Sequence, residues 1–167
     1  TFYVVRQLNV EMQISNIIAW ILSVLFAFIT NKQFVFESYF NNVKNVDDIV
    51  CYWNPHTNFQ GWLNTLHGGI QATLLDEIGG WIIARKFQTS GMTTNLNVKY
   101  KKPEPTGEGV IIEIRARVKE TKRNFVFIEA TISYNGEVCS MAEMTYYSFP
   151  KDVAEKDFMF TGCDVEE

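Results

Sequence analysis

Hydrophobic and polar side chains alternate through most of the second half of the chain. Residues 92–102, 110–119 and 126–132 each place apolar or weakly polar side chains at every second position. A period of two predicts β-strands with one buried face and one exposed face. In the first of these strands, the expected buried face consists of Met92, Thr94, Leu96, Val98 and Tyr100.

The third alternating segment is followed by Asn135-Gly136. This pair predicts a two-residue hairpin turn, because both central residues of such a turn take positive φ. A fourth strand is therefore expected from Glu137 to Phe149, and Pro150 ends it.

A longer segment with helical spacing precedes these strands. From about Gly69 to Phe87, large apolar side chains recur nearly all round the helix, which is typical of a helix buried on most sides. These side chains are Ile70, Leu74, Leu75, Ile78, Trp81, Ile82 and Ile83. The sequence therefore predicts an α+β domain in which antiparallel strands surround one long helix.

Two less regular segments lie outside this central pattern. Phe34 to Phe40 and Ile49 to Trp53 are expected to form a strand pair, joined by a polar turn and stopped by Asn54-Pro55. The polar tail from Lys151 to Glu167 is expected to be loose or locally docked.

The start of the chain differs in character from the rest. Met12 to Asn31 contains twenty residues without a charge, fourteen of them apolar. A helix of this length rises about 30 Å, which is one hydrocarbon thickness, so we expect membrane contact through residues 12–31. The alternative is an apolar helix that packs on the domain or on a subunit.

The segment from Ile29 to Phe36 resembles the end of the last membrane helix in the GtrA-like family of small membrane proteins. We therefore divide the chain into an apolar N-terminal helix at 1–33, a domain at 34–150 and a polar tail at 151–167. A fusion and a misassigned gene start are two further explanations of the first segment.

Composition excludes several classes of protein. A chain of 167 residues with 47% hydrophobic residues is not intrinsically disordered. A net charge of −4 without a basic run excludes a nucleic-acid partner. Cys51, Cys139 and Cys163 are widely spaced and the only histidines are His56 and His67, so neither a disulfide framework nor a metal site is indicated. Unpaired thiols favour the cytoplasm.

The loop from Gln60 to Gly69 carries the most unusual residue choices, ending in His67-Gly68-Gly69 immediately before the predicted helix. Glycines let the backbone approach a ligand closely, and the free N–H groups at a helix start favour negative charge. These features are those of an oxyanion hole. The alternative is a tight turn with a structural histidine.

Asp76 and Glu77 are the only charged residues between Ile70 and Ala84. At least one of them is expected to face a cleft, where burial tunes a carboxylate as a general base or nucleophile. The alternative is that both reach solvent. Gly79-Gly80, in mid-helix, are expected to allow close approach of another backbone or a ligand tail, or else to mark a kink.

Together these motifs resemble the hotdog-fold acyl-CoA thioesterases of the PaaI-like group. The resemblance covers about residues 34–150 and rests on Asn64–Gly69, Ala72–Glu77, Met92-Thr93-Thr94, Tyr100 and Pro103. It implies a hotdog fold, hydrolysis of acyl-CoA, and homodimers that often assemble as dimers of dimers.

The resemblance also implies roles for individual residues. An amide of Gly68 or Gly69 would polarise the thioester carbonyl, and His67 would position that carbonyl or the water. Asp76 would activate water or attack directly, with help from the hydroxyl of Thr93. Many relatives carry asparagine where this chain has Gly61, so Asn64 is retained only as a candidate site residue.

Substrate-binding residues are expected around this centre. Ile78 and Trp81 would line an apolar slot for the acyl group. The phosphates of coenzyme A would lie outside it, near Lys101, Lys102, Lys122 and Arg123. Coenzyme A enters only as part of the substrate, and no separate cofactor or metal is expected. The alternative for the basic residues is a solvated sheet face.

The spacing of Gly68 and Asp76 leads to a further expectation. Eight helical residues span about 12 Å, whereas a nucleophile lies about 3 to 3.5 Å from the carbon it attacks. Amide and carboxylate serving one thioester should therefore come from different subunits. The predicted activity is acyl-CoA hydrolysis at a dimer interface. The alternatives are a hotdog hydratase or dehydratase, a non-catalytic acyl-CoA-binding module, and a membrane protein whose other part is incidental.

Overall fold

A computed structural model describes residues 48–163 of the chain. The predicted strand at Phe34–Phe40 and the apolar segment at Met12–Asn31 lie outside the described residues. The helices and strands are, in chain order, β1 (Asp48–Trp53), β2 (Gln60–Trp62), β3 (Thr65–Leu66), α1 (Gly68–Ile82), β4 (Gly91–Tyr100), β5 (Ile112–Lys122), β6 (Phe125–Tyr134), β7 (Glu137–Ser148) and α2 (Lys151–Phe158).

The main sheet is antiparallel and has the strand order β1-β5-β6-β7-β4. Helix α1 packs across one face of it. The alternation predicted for β5 and β6 is confirmed, because their inward positions are buried. The core side of α1 contributes Leu74, Leu75, Ile78 and Ile82. The α+β prediction is therefore confirmed for the described part of the chain.

The hairpin between β6 and β7 also forms as predicted. Asn135 has φ of 51° and Gly136 has φ of 80°, which is the left-handed conformation that a two-residue turn requires at both positions. The predicted strand from Ile49 to Trp53 forms within β1, which pairs with β5.

Strand β4 departs from the regular alternation predicted for it. Its pairing with β7 shifts between Thr93 and Asn95, so Thr94 is an extra, bulged residue. Thr93 lies opposite the buried Tyr146. The prediction that Met92 and Thr94 share a buried face with Leu96 is therefore wrong: Met92 and Thr94 are exposed, because the bulge reverses the alternation.

Helix α1 continues into a π-helical turn at Ile83–Phe87, and Gln88 ends it with a left-handed φ of 50°. The close approach expected at Gly79 is present, and the groups that approach the helix there are side chains of β7. A Cβ at Gly79 would lie 2.8 Å from Cε2 of Tyr146 and would also overlap the sulfur of Met144. The glycine therefore lets the helix sit directly on β7.

The described part of the tail is locally docked, and most of it is helical. Helix α2 buries Ala154, and Phe149 stacks on Phe158 with ring centroids 4.6 Å apart. Met159, with a left-handed φ of 52°, ends α2 and leads into residues 160–163. Between residues 48 and 163, neither helix has the length and apolar character needed to cross a bilayer.

Candidate active site

His67 is carried by a short hairpin formed by β2 and β3. Asn64 adopts a left-handed φ of 58° between these strands, and its carbonyl accepts a hydrogen bond from the Thr106 amide. Asn64 therefore shapes the turn. A Cβ at Gly61 would lie 2.9 Å from Cδ2 of His67, so glycine at this position leaves room for the imidazole.

The His67 side chain caps α1. Its Nδ1 accepts a hydrogen bond from the Gly69 amide at 3.0 Å. A neutral imidazole that accepts at Nδ1 carries its proton on Nε2, so the exposed ring presents an N–H donor outward. Because the Gly69 amide is already engaged, Gly68 is the better candidate of the two glycines for an oxyanion donor.

Gly68 is also fixed from the sheet side. The hydroxyl of Tyr100, at the end of β4, donates to the Gly68 carbonyl at 2.7 Å. The Tyr100 ring lies 3.4 Å from where a Gly68 Cβ would be. The start of α1 is therefore held against the last residue of β4.

Asp76 lies two turns further along α1, at the other end of β4. The Thr93 hydroxyl donates to Oδ1 of Asp76 at 2.7 Å, and the Tyr146 hydroxyl donates to the same oxygen at 2.9 Å. Both hydroxyls bond Oδ1, and neither bonds Oδ2. The two hydroxyls therefore orient the carboxylate through Oδ1.

Tyr146 is a site residue that sequence reasoning missed. Its single hydroxyl proton is shared between Oδ1 and the backbone carbonyl oxygen of Asp76, which lies 2.5 Å from the hydroxyl. Burial raises the pKa of Tyr146 far above its usual value, and the nearby Asp76 charge adds to the increase, so the phenol remains a donor. The available signal was Gly79, whose missing side chain makes room for this ring.

The expected acyl-binding residues lie on different sides of α1. Ile78 is 3% exposed and belongs to the core against the sheet. Trp81 instead lines a cavity of about 350 Å³ together with Glu77, Gly80, Ala84 and three residues of the C-terminal segment, Phe160, Gly162 and Cys163. Burial raises the pKa of Glu77, and the neighbouring Asp76 charge raises it further.

The expected phosphate-binding residues fall into two separate pairs. Lys101 and Lys102 directly follow β4, and Lys102 forms a 2.7 Å ion pair with Glu137. Lys122 and Arg123 lie at the β5–β6 turn, at the same end of the sheet as the start of β4 but with β6 and β7 between them. A single copy of the domain therefore does not bring all four together.

Side chains that could bind a metal ion are not clustered in the described part of the chain. Across residues 48–163, no group of three or more histidine, cysteine, aspartate or glutamate side chains is close enough together to bind a metal ion. The groups assembled around Asp76 are hydroxyls, which orient a carboxylate.

The chain matches two protein-family models and resembles solved structures. The family model described as the thioesterase superfamily matches residues 63–140, and that for the GtrA/DPMS transmembrane domain matches residues 1–52. A crystal structure of a hypothetical thioesterase with coenzyme A from Streptococcus pneumoniae TIGR4 superposes with a TM-score of 0.62 at 18% identity, covering 70% of this chain and 92% of that one. The domain has the hotdog fold, and its residues 63–140 match the thioesterase superfamily.

Two curated relatives share sequence with this chain. Rat acyl-coenzyme A thioesterase THEM4 is 32% identical over 89 residues, which cover 53% of this chain and 37% of that protein. Human acyl-coenzyme A thioesterase 13 is 28% identical over 98 residues, which cover 58% of this chain and 70% of that protein. The chain thus spans little more than a third of the rat relative and about two thirds of the human one.

Proposed function

We propose that this chain hydrolyses acyl-CoA thioesters to free acid and coenzyme A. The observation that carries the proposal is the orientation of Asp76, whose Oδ1 accepts two hydroxyl hydrogen bonds, neither of which involves Oδ2. Both curated relatives are named as acyl-coenzyme A thioesterases, which supports the same reaction.

The oxyanion is stabilised at the start of α1. The Gly68 amide points along the helix axis toward the carbonyl oxygen, and the helix dipole adds to its effect. His67 contributes its Nε2–H, because Nδ1 is occupied by the Gly69 amide. These donors stabilise the negative charge that develops as the thioester carbon becomes tetrahedral.

Asp76 supplies the nucleophile by deprotonating water. Oδ2 takes one proton as the water oxygen bonds to the carbonyl carbon, and the π electrons move onto the carbonyl oxygen. The intermediate then collapses, the C–S bond breaks, and the coenzyme A thiolate recovers the proton from Asp76. Direct attack by Oδ2 would instead give an anhydride, which water would then hydrolyse.

The site is completed by a second copy of the chain. Gly68 and Asp76 are about 12 Å apart along one continuous helix, which is too far for one carbonyl. They lie beside opposite ends of β4, which is a terminal strand among those described. Antiparallel pairing of two β4 strands about a two-fold axis exchanges these ends, so Asp76 of one copy meets Gly68 of the other.

The same pairing accounts for the separated basic residues. It brings the Lys122-Arg123 end of one sheet toward the Lys101-Lys102 end of the other, because these pairs lie at opposite ends of the sheet. Together they form a basic rim where phosphate oxygens of coenzyme A bind. The homodimer is thus the smallest complete unit, and it can associate further into a dimer of dimers.

A hydratase or dehydratase would need His67 as a base on a substrate carbon. Nδ1 of His67 is engaged by the Gly69 amide, and Nε2 then holds the proton. This arrangement suits a hydrogen-bond donor, so it favours hydrolysis over the hydratase alternative.

The test is release of free coenzyme A thiol from a panel of acyl-CoA substrates by the full chain and by Asp76→Asn. The asparagine keeps the Oδ1 acceptor and removes the base. We expect kcat to fall at least about 100-fold, with little change in KM. A variant within a few-fold of wild type would contradict the proposed role of Asp76, and binding without thiol release by wild type would indicate a non-catalytic module.

A further inference from the structure

We propose that the C-terminal segment, residues 160–163, closes the acyl-binding pocket and limits this enzyme to medium-chain acyl groups. The inference rests on the proposed thioesterase function. It identifies the pocket as the cavity between α1 and this segment, which Trp81 and Phe160 both line.

Two residues that line the cavity share a helical stripe with Asp76. Gly80 lies one helical turn beyond Asp76 and Ala84 lies one turn beyond Gly80, so the three follow one stripe of the helix. Gly80 and Ala84 both line the cavity. An acyl chain whose carbonyl carbon is at Asp76 can therefore run along this stripe toward the end of the helix.

Gly80 is not required for packing within the domain. A Cβ at Gly80 would meet only the Tyr146 hydroxyl, at 3.9 Å, whereas a Cβ at Gly79 would overlap two side chains of β7. Glycine in a helix costs about 1 kcal/mol relative to alanine. The glycine at position 80 thus lowers helix stability and leaves open space in the cavity, as expected of a binding surface.

The C-terminal segment is fixed in place at the far end. The Gln88 side-chain amide donates to the Cys163 carbonyl at 3.1 Å, and its oxygen accepts from the Cys163 amide at 3.2 Å. This reciprocal pair of hydrogen bonds ties the segment to the residue that ends the helix. The tie holds Phe160 and Gly162 as a wall of the cavity.

The size of the pocket sets the substrate class. From Asp76 to Ala84 the helix rises about 12 Å, and an extended alkyl chain advances roughly 1.3 Å per carbon for bonds near 1.5 Å. This length holds about nine carbons. The volume of about 350 Å³ is at the small end of ligand pockets. The walls are mostly apolar, and burial favours the neutral form of Glu77.

The test measures kcat/KM for saturated acyl-CoA substrates of increasing length with wild type, Gly80→Ala and Phe160→Ala. We expect wild-type activity to decline beyond about ten carbons. Gly80→Ala should lower the ratio of long-chain to short-chain kcat/KM by about tenfold, while its melting temperature rises. Phe160→Ala should raise that ratio.

Two negative outcomes are distinguishable. If wild type releases thiol from acyl-CoA but all three proteins share one chain-length profile, the pocket assignment is overturned and the proposed function stands. If wild type releases no thiol from any substrate, the proposed function fails and the pocket assignment fails with it. The melting temperature of Gly80→Ala shows independently that this variant is folded.

Discussion

The Thr93 hydroxyl lies 2.7 Å from Oδ1 of Asp76, seventeen residues away along the chain. The contact depends on the bulge at Thr94, which turns Thr93 toward the helix and Thr94 away from it. Tyr146, directly opposite Thr93 on β7, approaches the same oxygen. Two strands and one helix thus position a single carboxylate.

Neighbouring threonines provide a matched pair of variants. Thr93→Val removes a donor to Asp76, so we expect kcat to fall about tenfold with KM little changed, because the carboxylate loses orientation. Thr94→Val removes only a hydroxyl that donates to the Thr145 carbonyl at the exposed face, and its kcat should match wild type. Equal effects of the two substitutions on kcat would contradict the role assigned to Thr93.

Tyr146→Phe tests the second donor. The ring and its packing against Gly79 remain, but the hydrogen bonds to Asp76 are lost. We expect kcat to fall about tenfold, a shift in the pH profile of kcat, and a stability loss of about 1 kcal/mol. Tyr147→Phe, one residue further on β7, loses only a bond from Asn124 and serves as the control. A stability loss with unchanged kcat and pH profile would make Tyr146 merely structural.

Glu104 should make stability depend on pH. Its side chain is fully buried beside Cys139, and burial raises its pKa from 4.5 to about 7. Between pH 4.5 and about 7, Glu104 is ionised in the unfolded chain but protonated in the folded chain. The free energy of unfolding therefore falls as pH rises, and it levels off above about pH 7. The total decrease is at most about 3 kcal/mol.

Urea denaturation from pH 4.5 to pH 8 measures this effect. Glu104→Gln, which stays neutral, should flatten the decline between pH 4.5 and 7. Glu108→Gln changes an exposed carboxylate in the same connecting segment and should keep the wild-type decline. A wild-type stability that rises through this window would contradict the prediction for Glu104.

The sequence predicted those parts of the domain that follow from regular periodicity. The inward positions of β5 and β6, the turn at Asn135-Gly136 and the long helix all depend on local patterns and on burial of an apolar face. The bulge could not be predicted, because it depends on how β4 aligns with β7 and its two threonines are chemically alike.

In the candidate site too, local sequence patterns predict some residues, and other residues depend on how distant elements pack. His67 and Gly68 are candidates because a His-Gly-Gly loop precedes the helix, Asp76 is a candidate because it is charged within an apolar helix, and the family resemblance points to the same residues. The choice of Gly68 over Gly69 required the capping bond of His67, and Tyr146 required the packing of β7 on Gly79. The different sides taken by Ile78 and Trp81 depended on how α1 sits on the sheet.

The most direct test of the account is co-expression of full-length Gly68→Pro and Asp76→Asn chains, which removes the amide donor from one copy and the base from the other. Each variant alone should be inactive. Random pairing of the two makes half of all dimers mixed, each with one intact site, so about a quarter of wild-type activity should return. Activity no higher than that of the separate variants, with mixed dimers demonstrated by differential tags, would contradict a site shared between subunits.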